Sequence, residues 1–378
     1  MRIAVLSETE GAETRVAATP ETVKKYKGLG ADVTVQAGAG SKAGIPDAEF
    51  EAAGAVIAPS REEALRDADV ILKVRRPAEG ELAGVKPGAL VIAIMDPYGQ
   101  DAALKSLADA KVAAFAMELM PRITRAQVMD VLSSQANLAG YRAVIDASAE
   151  YGRAMPMMMT AAGTVPAARV FVMGAGVAGL QAVATARRLG AVVTATDVRP
   201  AAKEQVESLG AKFIAVEDEE FKQAETAGGY AKEMSAEYRE KQAALVASHI
   251  AKQDIVITTA LIPGRPAPKL VTRAMVESMK PGSVIVDLAV ERGGNCEVSK
   301  PGKVTTHNGV KIVGHLNMPG RLAATASSLY AKNLYAFVET LVDKESKALS
   351  VKWDDDLVKA TCLTRDGAVV HSAFQTAA

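Results

Sequence analysis

The chain's pattern predicts two doubly wound α/β domains, and three features predict them. Its 378 residues suit two domains at roughly 100 to 200 residues each. Short β-rich apolar runs alternate with helix-like segments in two successive sets, an arrangement that implies parallel sheets. A long proline-free stretch, Asp130 to Tyr151, separates the sets.

The first set opens with the apolar run Ile3 to Leu6, followed by a helix entered at Thr19-Pro20 with proline in its first position. Asp32 to Gln36, Val70 to Val74, Ala89 to Met95 and Val112 to Phe115 read as further strands, with a helical pattern over Asp101 to Ala110. Asp130 to Tyr151 reads as one helix carrying the chain out of the first domain. The second set comprises Arg169 to Met173, Val192 to Thr196, Lys212 to Val216, Asp254 to Thr259 and Ser283 to Asp287. After Pro319, Arg321 to Val342 is again helical and returns the chain to the first domain, where Cys362 to His371 holds the Asp-Gly pair of a hairpin. The expected domains are 1–130 with 326–378, and 131–325. Two long helices crossing between them leave a cleft, a usual place for ligands.

Composition narrows the function. The chain is 49% hydrophobic and carries 44 basic against 44 acidic side chains, without the basic surplus a general nucleic-acid binder uses to neutralise phosphates. The longest apolar stretch, Gly88 to Met95, falls short of the 18 or so residues of a spanning helix. The first residues, MRIAVLSETEGAETRVA, have no basic-then-apolar leader pattern, so a soluble cytoplasmic chain is expected. Cys296 and Cys362 form no CxxC pair, and the four histidines lack the i, i+4 spacing of a helical zinc site, so no metal is expected.

The run RVFVMGAGVAGLQAVATARRLGAVVTATDVR places Gly174, Gly176 and Gly179 after a β-branched strand and at the mouth of a helix. In such a GxGxxG turn the first glycine permits the tight bend, the second lets backbone approach a pyrophosphate, and the third lets helix pack on strand. The helix N-terminus offers its free N–H groups to the phosphates. Asp197 stands 18 residues beyond Gly179, at the end of the next strand. It can accept both ribose hydroxyls of the adenosine and repel a 2′-phosphate, which favours NAD over NADP, with Arg199 two residues on as a counterweight. These features make the second domain a Rossmann-like NAD-binding domain.

Between Val216 and Asp254 lie 37 residues, more than a crossover helix needs, with Gly228, Gly229 and Tyr230 near the centre of their polar first half. A solvated surface loop and an active-site lid are both consistent with that length.

Met117 to Val144, PMMMTAAGTVPAARV, ATDVR, AGGYAKEM and VIVDLAVERGGNCE together resemble the NAD(H)-binding component of proton-translocating NAD(P) transhydrogenase, over nearly the whole chain. The resemblance is to the split form, whose alpha polypeptide ends before its membrane helices. Alanine dehydrogenase, of the same superfamily, is the rival. Its first domain uses an arginine, a lysine and a histidine on the amino acid; Arg15 and Lys73 resemble the first two. The strand that should end in the histidine here reads VIAIMDPYG, giving Met95 and Asp96, and no histidine precedes position 249. Amino-acid oxidation then lacks a proton acceptor, and Arg15 and Lys73 are expected to have no substrate role.

By resemblance, Arg122, Ile123, Thr124, Gln127, Asp130 and Ser133 would line the nicotinamide end of the site. Gln127, Asp130 and Ser133 are three apart, hence on one face if helical; spacing alone leaves a capping role for Asp130 equally open. The resemblance gives Gly174, Gly176, Val177 and Gly179 the pyrophosphate, Asp197, Val198 and Arg199 the adenosine, and makes Gly229, Gln242 and Leu261 further neighbours. Tyr230 would sit on a mobile loop near 217–235 that closes over the nucleotide. The Met155 to Met159 cluster is expected to pack between the domains. The reaction implied is direct hydride transfer between the C4 atoms of two nicotinamides (Re/Si-specific transhydrogenation), from NADH here to NADP+ on a partner component. A membrane component would couple the transfer to proton translocation. Family members of this type are homodimers, peripheral to the inner face of the bacterial plasma membrane through their partners.

Overall fold

The computed structural model describes residues 1–222 and 234–375. In chain order the strands are β1 (Arg2–Val5), β2 (Asp32–Gln36), β3 (Val56–Ala58), β4 (Val70–Arg75), β5 (Leu90–Ile94), β6 (Ala113–Ala116), β7 (Met158–Thr160), β8 (Gly163–Val165), β9 (Arg169–Met173), β10 (Val192–Thr196), β11 (Lys212–Phe213), β12 (Ile255–Thr258), β13 (Val284–Asp287), β14 (Lys303–His307), β15 (Val310–Gly314), β16 (Cys362–Arg365) and β17 (Ala368–Val369). The chain divides into two compact units, Met1–Gln135 with Pro319–Ala378, and Ala136–Met318. This division falls five residues after the first expected boundary and seven before the second. The first turn of the helix Val131–Tyr151 accounts for the former shift: Ser134 bonds Asn333 and Gln135 bonds Arg15, both in the first unit. The return runs through the 3-10 turn Met318–Leu322 into the helix Ala323–Thr340.

In the first unit the sheet order is β17-β16-β6-β5-β4-β1-β2-β3. The strands β1 to β6 pair in parallel, and the hairpin β16–β17 adds an antiparallel edge at β6. Both faces are covered, which is why these strands read as nearly unbroken apolar runs. Ile3, Val5, Leu72 and Phe115 face one core with Tyr26, Tyr330 and Phe337. Ala4, Leu6, Ile71 and Ala114 face the other with Leu104 and Leu107. The predicted helix after Thr19 forms as Pro20–Gly28, closed by a reciprocal box in which the Thr19 and Thr22 side chains each accept the other's backbone N–H. The predicted hairpin turns at Asp366 (φ 51°) and Gly367 (φ 81°), the left-handed pair that an Asp-Gly turn requires.

The second unit has the order β11-β10-β9-β12-β13-β15-β14, parallel except for β14. Val170 and Val172 face one core and Phe171 and Met173 the other. The strand order reverses between β9 and β12, the point at which doubly wound sheets bind ligands. The hairpin β7–β8 stands apart from this sheet with all six residues exposed. Met155 packs in the second unit's own core, whereas Met157, Met158 and Met159 are exposed on and beside the hairpin, which departs from the expected packing of that cluster between domains. No helix among the described residues is long and apolar enough to cross a membrane.

Candidate functional site

In the second unit, the turn between β9 and the helix Val177–Arg188 lies at the strand-order reversal, and packing requires glycine at two of its three glycine positions. Gly174 has φ +104°, and a Cβ there would meet Thr259 Oγ1 at 2.4 Å. A Cβ on Gly179 would meet the Gly174 carbonyl oxygen at 1.7 Å, so only glycine lets the helix approach the turn. At Gly176 a Cβ would meet nothing within 4 Å, so this position borders open space. Gly176 is the N-cap residue and supplies no side-chain cap, so the first-turn N–H groups are left for a ligand or water. Val177 is exposed at the helix start.

Asp197, at the end of β10, accepts the Ala175 N–H at 2.7 Å through one oxygen and Arg199 N–H and Nε at 2.9 Å each through the other. The carboxylate therefore props the glycine turn, and Arg199 is its counter-ion. Val198 is 54% exposed. Gln242 closes the end of β10 from the helix Ala236–Ile250: its amide donates to Thr196 Oγ1 at 3.2 Å and accepts the Val216 N–H at 2.9 Å. Leu261 is exposed on the loop after β12. Asn295 bonds both the N–H and the carbonyl of Ala260 beside it. Asp287, fully buried at the end of β13, in turn accepts the backbone N–H groups of Asn295 and Cys296 and the Ser299 hydroxyl.

In the first unit, Thr124–Met129 is a 3-10 turn, and the backbone breaks to an extended conformation at Asp130 before the helix Val131–Tyr151. Gln127, Asp130 and Ser133 thus do not share one face of a single helix. A capping side chain that ends one turn and starts the next defeats period counting. Asp130 performs that cap, accepting the Ser133 N–H at 2.9 Å and its hydroxyl at 2.5 Å. Arg122, Ile123, Thr124 and Gln127 are exposed. Arg125 forks onto Asp355 through two bonds of 2.9 Å, and the Val128 carbonyl accepts from Asn333 at 2.8 Å.

Arg15 and Lys73 lie near the carboxyl ends of β1 and β4, where the first sheet reverses, and both are buried in ion pairs. Arg15 forks onto Glu13 at 2.7 Å and donates to Gln135 at 2.8 Å. Lys73 reaches Glu81 at 2.5 Å and Glu8 at 3.7 Å. Burial pushes the Glu8 carboxyl up to about 7, with Lys73 opposing. Burial acts the same way on Glu13 but is overcome by Arg15 and Arg75, which hold it down at about 2. Both cations are thus paired with the chain's own carboxylates. Beside them the strand β5 leads to buried Met95 and to Asp96, whose φ of +48° is unusual for a side chain other than glycine.

Gly228, Gly229 and Tyr230 fall outside the described residues. Of the expected lid near 217–235, the described part contains the helical turn Glu219–Lys222, whose Glu220 bonds the Ser235 N–H and hydroxyl. Sequence reasoning missed Glu8, Glu13, Glu81, Asp287, Asn295, Asn333 and Asp355. Only the acid ending β13 before Gly-Gly-Asn carried a local signal.

Comparison with known proteins adds a second line. Residues 4–139 match the family described as Alanine dehydrogenase/PNT, N-terminal domain, and residues 143–372 its C-terminal domain. The chain is 60% identical over 379 aligned positions to a Rhodospirillum rubrum protein named as an NAD(P) transhydrogenase subunit alpha polypeptide, covering 99% of each. It is 65% identical, with a TM-score of 0.90, to the crystal structure of transhydrogenase from Sinorhizobium meliloti, covering 98% of this chain and 100% of that one. A Halomonas elongata alanine dehydrogenase is 34% identical, covering 100% of this chain and 96% of its own.

Proposed function

The chain belongs to the alanine dehydrogenase/PNT family, and from that premise we propose that it is the NAD(H)-binding component of a proton-translocating NAD(P) transhydrogenase, passing hydride from NADH to NADP+ held by a partner component. One observation carries this reading: the glycine turn is complete, while Arg15 and Lys73 are closed by Glu13, Glu8 and Glu81 and no histidine stands at Met95-Asp96. The chain has the turn that holds a dinucleotide and lacks, at Met95-Asp96, the histidine that would deprotonate an amino acid.

The residues present fit NAD(H). The Gly174–Gly179 turn and the uncapped N–H groups at Val177 would hold the pyrophosphate, and Asp197, Val198 and Arg199 the adenosine. Gln242, Leu261 and Gly229 would flank the nucleotide, and Tyr230 would cover it. Arg122, Ile123, Thr124, Gln127, Asp130 and Ser133 would orient the nicotinamide end. The dinucleotide supplies a hydride at C4, and no proton need enter or leave this chain. Its residues are asked only to orient and to exclude water.

The partners follow from the same reading: an NADP(H)-binding component, a membrane component coupling transfer to proton movement at the inner face of a bacterial plasma membrane, and a second copy of this chain. The exposed methionine hairpin Met158–Val165, with Met159 76% exposed, supports the homodimer, since a contiguous apolar arm is costly to leave in water. The test is reconstitution with a transhydrogenase NADP(H)-binding component. NADH-dependent NADP+ reduction only with the partner upholds the reading, and alanine-dependent NAD+ reduction by the chain alone establishes the alanine dehydrogenase activity instead.

A further inference from the structure

We propose that Asn333 is a positioning residue for hydride transfer, fixing the turn that carries Gln127; the inference rests on the transhydrogenase reading. Asn333 lies on the helix Ala323–Thr340 and is only 7% exposed. Its Nδ2 donates to the Val128 carbonyl at 2.8 Å, and its Oδ1 accepts the Ser134 hydroxyl at 2.7 Å. One amide thus joins the residue after Gln127 to the first turn of the helix that follows.

The amide can point only one way, because a flipped Asn333 would set its oxygen against the Val128 carbonyl. The link has a buried anchor. Gln135 donates to the Ser134 hydroxyl and to the Ala326 carbonyl, both at 3.2 Å, and accepts from Arg15, which is itself forked onto Glu13. A chain of bonds, buried at its Glu13 end, therefore runs from Glu13 through Arg15, Gln135, Ser134 and Asn333 to the Val128 backbone. Arg15 is a buried member of this chain.

The turn needs such a tie. It is a six-residue 3-10 helix, a form with poorer hydrogen-bond geometry, and only Ala126 and Met129 of its residues are buried. Its other side-chain clamp, the fork of Arg125 onto Asp355, joins side chains 49% and 27% exposed, nearer to water than Asn333. The bond to Val128 ties the backbone beside Gln127 to the helix Ala323–Thr340, and small displacements of an orienting group cost about a hundredfold in rate.

Asn333→Asp tests this with almost no change of shape. The ionised carboxylate would oppose the Val128 carbonyl, whereas the protonated acid can donate to it. In the full chain reconstituted with an NADP(H)-binding component, transfer in Asn333→Asp should fall at least tenfold below wild type at pH 8 and recover towards it near pH 5.5. The NADH dissociation constant should stay within threefold throughout. Amide exchange over Thr124 to Asp130 should quicken at pH 8 relative to wild type. Wild-type transfer rates at both pH values in folded Asn333→Asp, or a rate loss without recovery at low pH, would overturn the proposal. Should Asn333→Asp not fold, Ser134→Ala removes only the orienting hydroxyl. A two- to fivefold loss of transfer then upholds the proposal and an unchanged rate overturns it. A wild-type chain that transfers nothing would refute the transhydrogenase reading instead, and unaltered amide exchange in the variant would still overturn the positioning role.

Discussion

The Asp197 carboxylate accepts the Ala175 N–H at 2.7 Å, so the acid expected to select the nucleotide also props the turn expected to hold the pyrophosphate. Selection and shape are coupled at one side chain. NADH should bind at least tenfold tighter than NADPH, a gap of about 1.4 kcal/mol or more. Asp197→Ala should weaken NADH about tenfold and shrink the preference to threefold or less, because Arg199 loses its counter-ion and is released towards a 2′-phosphate. Calorimetry with both nucleotides checks this, and equal wild-type affinities would contradict it.

Lys73 is 1% exposed between Glu81 and Glu8. Removing one partner of a buried pair leaves an uncompensated charge, so Lys73→Met should cost about 3 to 5 kcal/mol of stability. The double variant Lys73→Met with Glu81→Leu should regain most of it. Urea denaturation of both reads the coupling, and a double variant as unstable as the single one would show that the pair is not the cause.

Glu8, pushed by burial from 4.5 up to about 7, holds its proton more tightly folded than unfolded. Its contribution to stability is full below about pH 4.5 and is lost as pH rises through 7. Glu13, held at about 2, behaves oppositely and changes only below about pH 4.5, so it is silent in this window. Between pH 5 and 8 wild type should therefore lose stability relative to Glu8→Gln, by on the order of 2 kcal/mol. Parallel stability profiles for the two proteins would refute this.

Gln127 is exposed on the turn tied by Arg125 and Asn333. A neutral amide can bond two nucleotides without placing a charge beside a migrating hydride. Gln127→Asn shortens its reach, so NADH affinity should stay close to wild type while transfer falls ten- to a hundredfold, about 1.4 to 2.7 kcal/mol of barrier. Stopped-flow transfer at saturating nucleotide measures it, with a wild-type rate as the contrary outcome.

The central strands were legible because both sheets are covered on both faces, leaving apolar runs such as Val70 to Val74 that no surface strand would carry, whereas the short or exposed β3, β7, β8 and β14, and β15 with its lysine and glycine, were not read from the sequence. Local chemistry also marked Thr19-Pro20, Asp366-Gly367 and the Gly174 turn. The break at Asp130 was not legible, since a capping acid inside a helical pattern looks like any polar residue until its partner Ser133 is seen. Nor were the ties through Asn333 and Asp355, which join positions some 200 residues apart in sequence. The glycine turn of the second unit was written locally, while the turn around Gln127 in the first unit depends on contacts that only folding creates.

The central claim is that hydride passes directly from NADH on this chain to NADP+ on its partner, and isotope transfer tests it. NADH carrying deuterium at the transferred C4 position is mixed with the reconstituted complex in ordinary water, and the NADPH formed is analysed by mass. Direct transfer from C4 to C4 exchanges no hydrogen with solvent, so all of the label should appear in the NADPH. Loss of deuterium to solvent would mean that a protein group or water relays the hydrogen, and would contradict the account.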